Sequence, residues 1–422
     1  MIKTIKVMLL PNNKQKTKLF QYADAARFAY NWALEKQMEN FKNGGSFLSD
    51  SVLRKEFTQF KKTEAGNWLN GISNNVPKQA IKDCCIAYQN FFGEYKKTGI
   101  KYSKQKVEHY KRIGKPLTVY DRKGHPKFKS KKHTTPKFYQ DNIKLKFTDT
   151  HVKVEGFADS KKKNKQKINW IRLAEQGRIP TDCTYTNPRI QFDGEHWWLT
   201  VGVEIQKDTN MPPKEKEGIG IDLGVKELAV CSDEKRYENI NKTRKIKQLE
   251  KKKRRLQRGI ARKYEKNKKG GSYCKTSNLI KSEKKLLKMN HRLTNIRQNY
   301  LHETTSKMIK REPSFICMED LNVRGMMKNR HLSKAIQEQC FGEFRRQIEY
   351  KCGWNNILFV IADRFYPSSK LCSCCGHIKK DLKLKERIYK CGVCGNVMDR
   401  DYQAALNLKR YGEKVWKEKA IV

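Results

Sequence analysis

The segment "IGIDLGVKELAVCSD" (219–233) decides how the second half of the chain is read. Two apolar runs flank a short connection, which predicts two strands joined by a tight turn. Asp222 stands inside the first run, between Ile221 and Leu223. A carboxylate in such a place is expensive unless a metal or a hydrogen-bond network accompanies it. Working outward, two long helical segments follow. Residues 243–262 carry Ile246, Leu249, Leu256 and Ile260 on one side and a dense Lys/Arg coat elsewhere. Residues 283–310 place Leu286, Met289, Leu293, Ile296 and Tyr300 at three-four spacing. An antiparallel helical hairpin is expected, joined through the polar stretch "KNKKGGSYCKTSN". Beyond it lie a strand in "SFICMEDLNV" (314–323), a helix around 333–352, the strand of "NNILFVIADRFYPSS" and a terminal helix in "YQAALNLKRYGEKVWKEKA". From 218 onward strands alternate with helices, the pattern of an α/β layer fold.

The first half has a different texture. "MIKTIKVMLL" reads as a strand ended by Pro11, and Leu19, Ala23, Ala26, Tyr30 and Ala33 predict a helix after it. Two or three more helices are expected up to about residue 96, one of them opening with Pro77 as its first residue. The stretch from about 97 to 140 is basic and interleaved with Tyr and Phe, a composition suited to phosphate contacts and base stacking, or simply to a solvated loop. Residues 141–206 show strand signals, with Asp193–Gly194 as a hairpin turn, and predict a small antiparallel barrel or sheet. His196, Trp197 and Trp198 are expected to pack within it rather than serve as a base platform. Residues 207–218 read as a linker.

Charge limits the partners. Lys and Arg number 92 against 44 acids, a net of +48. Self-repulsion on that scale opposes compaction until a polyanion neutralises it, and nucleic acid is the natural one. The longest apolar run, "ILFVIA" (357–362), is strand-sized and far short of the roughly 18–20 residues of a membrane span. The N-terminus lacks the apolar core of a secretory signal, so an intracellular protein is expected.

Thirteen cysteines in such a chain point to reduced thiols with a metal-binding subset. Cys372 and Cys375 form C-x2-C, and fifteen residues later Cys391 and Cys394 form a second pair. This spacing predicts a four-cysteine Zn²⁺ site, structural because no coordination position stays open. Gly376 and Gly395 follow the pairs and allow the tight turns that bring both thiolates to one ion. Cys374 falls outside the spacing.

Three acids could form a second metal site. A nuclease of the RNase H kind needs carboxylates from separate segments converging on hard divalent cations beside a phosphodiester. Asp222 is one candidate. Glu319 ends the strand "FICMED", and alternation turns Asp320 to the opposite face. Asp401 begins the last helix, where Asp399 or Asp401 could equally be an N-cap.

"GIDLGVKELAV", "MEDLNVRGM", "FYPSSKLCSCCG", "YKCGVCG" and "DRDYQAALNL", in this order, closely resemble the TnpB (OrfB) proteins of bacterial insertion sequences. "QKTKLFQYADAARFAYNWAL", "FFGEYKK", "HPKFKSKK" and "IRLAEQGRI" extend the resemblance, more loosely, over nearly the whole chain. That family consists of RNA-guided DNA endonucleases related to compact type V CRISPR effectors.

The resemblance implies an α+β multidomain protein. Its parts would be a β-barrel wedge domain (1–10 and 118–213), a helical recognition lobe (11–117), an RNase H-like (RuvC) nuclease domain (214–370 and 398–422) carrying the helical hairpin, and a zinc element (371–397). It implies Asp222, Glu319 and Asp401 as ligands of catalytic Mg²⁺, two ions being expected. It also implies a transposon-derived guide RNA, double-stranded target DNA read beside a short flanking motif, and a monomeric ribonucleoprotein in a bacterial cytoplasm, associated with the nucleoid. The helix around "VPKQA" lies near the flanking-motif DNA in the family, which makes Lys78 and Gln79 candidate contacts. Gln403 stands where the family's D-R-D-x-N-A-A has Asn, which puts any amide-specific contact there in question. Alternatives are a transposase accessory, a guide-dependent DNA-binding regulator without cleavage, and a compact CRISPR effector. A tyrosine-type strand transferase would need His-x-His, which the sequence lacks.

Overall fold

A computed structural model describes residues 2–99, 101–131, 133–157, 168–205, 216–383 and 386–420. The chain divides into two compact units, Met1–Gln206 and Lys207–Val422. The expected linker lies mostly outside the described residues.

The first unit begins with β1 (Ile2–Leu10), then α1 (Asn13–Lys42), α2 (Asp50–Phe60), α3 (Asn75–Thr98) and α4 (Lys104–Arg112). Six strands follow: β2 (Lys137–Tyr139), β3 (Lys146–Phe147), β4 (His151–Lys153), β5 (Trp170–Leu173), β6 (Tyr185–Phe192) and β7 (Trp197–Glu204). All seven strands form one sheet of order β2-β6-β7-β1-β5-β4-β3, with antiparallel pairing throughout among the described residues. Among the described residues no ladder joins β2 to β3, so the expected barrel appears as a sheet; these edge strands are only three and two residues long.

Helix α1 starts with a capping box in which Asn12 and Gln15 exchange 2.9 Å bonds. Its buried face carries Leu19, Ala23, Ala26, Tyr30 and Ala33, the residues its periodicity predicts. Pro77 is the third residue of α3, not the first. Its missing N–H costs nothing there, because the first four helical N–H groups have no intrahelical acceptor. The β6–β7 turn falls at Asp193–Gly194, with Gly194 at φ +97°. Trp197 is buried in the sheet and Trp198 lies under Lys6 at 4.4 Å, so both pack as expected.

The second unit opens with β8 (Ile219–Leu223), β9 (Glu227–Cys231) and β10 (Arg236–Glu238). The helical hairpin follows: α5 (Arg244–Lys266), the small ribbon β11 (Lys268–Lys269) and β12 (Ser272–Tyr273), and α6 (Ser277–Ile309). Then come β13 (Phe315–Glu319), α7 (Val323–Met326), α8 (Ser333–Gln339), α9 (Phe341–Trp354), β14 (Leu358–Ala362), β15 (Ile388–Lys390), β16 (Val397–Asp399) and α10 (Arg400–Ala420). The main sheet has the order β10-β9-β8-β13-β14. Its first three strands are antiparallel, and β8, β13 and β14 run parallel.

The single helix expected around 333–352 is two, broken at Cys340, whose φ of +54° lies in the left-handed region. The hairpin helices meet through Ile246, Leu249 and Leu293, with Met289 and Ile296 beside them. Helix α6 is also pinned to α9 by one buried ammonium. Lys351 Nζ donates to the His302 carbonyl (3.0 Å), Thr305 Oγ1 (2.6 Å) and Ser306 Oγ (2.9 Å). Burial lowers its pKa to about 8.

Helix α10 lies directly on the parallel strands. A Cβ on Gly220 would stand 2.1 Å from the Ala405 carbonyl oxygen and 2.4 Å from the Lys409 nitrogen. Gly412 of the helix likewise abuts Phe315 and Cys317. Glycine at these two points lets the helix backbone reach the sheet. Gly220→Ala is expected to lower stability by about 1–3 kcal/mol, the usual cost of overpacking. Urea unfolding checks this, and an unchanged midpoint would refute the close contact.

Candidate metal centres and nucleic-acid surfaces

Three elements deliver the three acids. In the β8–β13 ladder Ile221 pairs with Met318, so Asp222 and Glu319 are the next residues along two adjacent parallel strands. Asp401 enters from the first turn of α10, the helix packed on β8. Asp222 and Glu319 are half-buried and still reachable from solvent. Desolvation first, then the charges of Glu319 and Asp401, push the Asp222 carboxyl well above its ordinary range. Desolvation also raises Glu319, although the Ser368 hydroxyl donates a hydrogen bond to it. Asp401 is paired with Arg400 at 3.1 Å and Arg387 at 3.4 Å.

Asp320 faces elsewhere, held by Arg345 at 2.9 Å and by Arg364. This is the division that strand alternation predicts. Among the described residues, the only group of three or more His, Cys, Asp or Glu with all ligand atoms within 4.8 Å of one another is the cysteine tetrad. The acids therefore converge more loosely than a closed metal cage.

Asp399 has a clear role. One of its carboxylate oxygens accepts the backbone N–H groups of Asp401 and Tyr402, both at 3.0 Å, which makes Asp399 the cap of α10. Burial works against its charge, but the Tyr402 N–H and the Arg236 guanidinium, 3.4 Å away, hold its carboxyl below the usual range. The cap frees Asp401 to project from the first helical turn.

The four cysteines of the two C-x2-C pairs come together. Cys372 and Cys394 sulfurs lie 3.6 Å apart, as do those of Cys375 and Cys391. A tetrahedron of thiolates at about 2.3 Å from one ion has edges of about 3.8 Å, so the tetrad fits Zn²⁺. The two turns repeat one geometry. The Cys374 N–H donates to Cys372 Sγ and the Val393 N–H to Cys391 Sγ, each at 3.4 Å. Gly376 and Gly395 then adopt φ of +75° and +71°. Burial opposes ionisation of Cys372, but the Cys375 and Cys374 N–H groups pull it down to about 6. Cys374 itself is exposed and outside the tetrad.

The two centres are joined by amides, of which Gln403 is marked in sequence only by the family motif and Asn407 by none. The buried Gln403 accepts from Asn396 at 3.3 Å, and Asn396 reaches Cys372 Sγ at 3.8 Å. The buried Asn407, one turn further along α10, donates to the carbonyls of Ser368 and Leu371, both at 2.7 Å. Ser368 in turn holds Glu319. Two amides four apart on the face that also buries Ala404, Ala405 and Leu408 were the available hint.

In the first unit, Lys78 lines a groove of 580 Å³ with Arg54, Lys55, Lys61 and Lys62. Gln79 instead donates to Asp83 at 2.9 Å, and Asp83 is paired with Arg189 at 2.6 Å. A second cleft, of 460 Å³, is walled by Lys129, Lys131 and Lys137 of the basic, aromatic stretch together with Phe20, Phe138 and Phe192. Asn31 ties this stretch to α1 through two bonds to the Lys129 backbone, at 2.9 and 2.8 Å. It is therefore an anchored wall rather than a free loop.

The layered sheet and the cysteine tetrad define a mixed α/β protein with a four-cysteine cluster that fits a zinc element. Its residues 1–46 match a family profile described as a helix-turn-helix domain of OrfB/IS605 proteins, residues 200–330 match the OrfB/IS605 profile "Probable transposase", and residues 341–408 match a "Cas12f1-like, TNB domain". A protein of Streptomyces pristinaespiralis named "Putative RNA-guided DNA endonuclease" is 27% identical over 97% of this chain and 89% of its own length. The "Putative RNA-guided DNA endonuclease InsQ" of Escherichia coli K12 is 24% identical over 98% and 93%. Over nearly its whole length the chain is thus similar to proteins of the TnpB (OrfB) kind. Among solved structures, a Cas12f1–guide RNA–target DNA complex is 16% identical with a TM-score of 0.34, covering 97% of this chain and 99% of its own. CasPhi-2 bound to crRNA is 10% identical with a TM-score of 0.44, covering 97% and 98%. These likenesses are too distant to carry weight. No helix among the described residues is long and apolar enough to cross a membrane.

Proposed function

We propose that the protein is an RNA-guided DNA endonuclease whose second unit is an RNase H-like (RuvC) nuclease with Asp222, Glu319 and Asp401 as its metal-binding acids. The observation that carries this reading is the meeting of three carboxylates from β8, β13 and α10, two of whose carboxyls burial pushes upward, toward the neutral acid. Desolvating two neighbouring carboxylates is a cost that a bound cation would offset. The donors are all hard oxygens, which fits Mg²⁺. Bound there, one or two such ions would supply charge stabilisation for the scissile phosphate and its attacking water.

The chain's own residues do the positioning. Ser368 orients Glu319, Arg400 and Arg387 hold Asp401, and Asn407 fixes the loop that carries Ser368. The basic groove beside Lys78 suits the flanking-motif DNA, and the anchored wall of Lys129, Lys131 and Lys137 suits backbone phosphates. Gln79, engaged with Asp83, is the weaker of the two contacts expected in that helix. Guide and target affinity should fall steeply with salt. Six to ten phosphate contacts correspond to a loss of roughly 10³–10⁵-fold between about 50 and 200 mM, and a filter-binding salt series that stays flat would refute the electrostatic reading.

The direct test is to purify the protein with its co-expressed RNA and challenge it with a matching plasmid and Mg²⁺. Cutting beside one flanking motif is expected, and no cutting across a library of motifs would defeat the proposal. A guide-dependent DNA-binding regulator is the second reading, favoured by the loose spacing of the acids. Binding without cutting in the same assay would select it.

A further inference from the structure

Phe365 is 87% exposed, the most exposed large apolar side chain among the described residues. A single apolar residue on a surface ordinarily calls for no explanation. Its neighbours make this one different. It lies in the loop that leaves β14, the strand next to Glu319's strand, and the rest of that loop is tied down. The Phe365 N–H donates to the Asp363 carboxylate at 2.8 Å. Arg364 pairs with Asp320, the residue after Glu319. Tyr366 donates to the Asn407 carbonyl at 3.2 Å, and its ring packs 4.9 Å from that of Tyr411. Ser368 donates to Glu319 itself and is held from behind by Asn407. Phe365 is thus a rigid projection, three residues from the serine that touches the acid site. Three residues span at most about 11 Å of extended chain.

An aromatic face held in solvent beside a phosphate-processing site has one evident use. Every nucleobase presents a π-face, and stacking on a protein ring is indifferent to sequence. From this geometry we infer that Phe365 stacks on an unpaired base of the DNA strand entering the acid site and so positions the scissile phosphate over Asp222 and Glu319. The inference rests on the nuclease reading for its role in cutting, but the stacking can be measured without it.

The test compares Phe365→Ala, Phe365→Leu and Phe365→Trp in the full ribonucleoprotein. Single-turnover cutting is expected to fall roughly 10- to 100-fold in the Ala variant, the range that loss of one base–aromatic stack covers. Trp should restore it. Leu, which keeps the apolar surface and lacks the ring face, should not. Guide-directed binding to duplex target and the thermal midpoint should stay at wild-type values. A second measurement is made in the Asp222→Ala background, where a DNA single strand bearing 2-aminopurine should lose fluorescence in the presence of Phe365 and keep more of it with Phe365→Ala. Wild-type cutting by Phe365→Ala, or rescue by Leu equal to that by Trp, would overturn the inference. If no variant cuts, wild type included, yet quenching still depends on Phe365, the nuclease reading fails and the stacking stands. If quenching is also independent of Phe365, the stacking fails with it.

Discussion

Asp222→Asn should abolish cutting and, in the same molecule, stabilise the metal-free protein. The first effect follows from removing a charged oxygen donor at the point where the acids meet. The several kcal/mol that such charge stabilisation supplies correspond to a loss of about 10³-fold or more in single-turnover rate, with guide-directed binding preserved. The second effect follows from linkage. The Asp222 and Glu319 carboxyls are raised in the folded state, chiefly by desolvation. The folded protein therefore retains protons that the unfolded chain has released. The stability this contributes is complete below the ordinary carboxylate range and is lost as pH rises through the raised values. As pH rises above the ordinary carboxylate range the cation-free wild type bears a growing cost, and Asn removes the Asp222 share of it. The thermal midpoint of Asp222→Asn should exceed that of the wild type in EDTA at pH 7–8, and the gap should close toward pH 4. Added Mg²⁺ should raise the wild-type midpoint and leave the variant's nearly unchanged. A variant that cuts normally, or one less stable than wild type in EDTA at pH 7–8, would contradict this account.

Loss of zinc should also silence the enzyme, although no cysteine belongs to the acid site. The element between Leu371 and Asp399 has almost no apolar core of its own: among the described residues its buried apolar cluster is Cys372, Tyr389 and Cys391, with Leu382 against them. An element this small depends on its metal, and structural zinc contributes roughly 10–16 kcal/mol in isolated finger peptides. Its order reaches Asp401 by a short route. Ile388 pairs with Asp399 in the β15–β16 ladder, the Arg400 N–H donates to the Arg387 carbonyl at 2.8 Å, and Asp401 is the next residue. Cys391→Ser should therefore abolish bound zinc, expose residues 372–398 to proteolysis and lower cutting by at least about 10²-fold, the cost of misplacing a catalytic group by an ångström. The main α/β sheet should keep its circular dichroism. Elemental analysis that finds no zinc in folded wild-type protein would refute the site, and normal cutting by zinc-free protein would refute the brace.

What could be read from sequence divides along physical lines. The cysteine spacing sufficed because a tetrahedral ion imposes a fixed local geometry on two short turns. Asp222 stood out because a carboxylate among isoleucines is costly wherever it lies, and the alternation of Glu319 and Asp320 followed from the strand period. Asn407 was illegible because its partners are the distant backbone carbonyls of Ser368 and Leu371, and nothing local demands it, while Gln403 stood out only against the family motif. The break at Cys340 was missed because a helical periodicity runs on through it. The left-handed residue answers to where α9 must lie rather than to local preference. The edge strands β2 and β3 are too short to leave an alternating pattern.

The buried ammonium of Lys351 has a consequence for how the helical hairpin is aimed. Apolar side chains resist separation but slide and rotate against one another, because dispersion has little preference for direction. Three hydrogen bonds to the His302 carbonyl, Thr305 and Ser306 accept only one rotation of α6 about its own axis. The lysine thus serves as a locating pin, at some expense in desolvation. What it secures is bearing: the Lys and Arg side chains of the hairpin keep a constant heading relative to the sheet, so their field presents the same face to each nucleic acid that arrives.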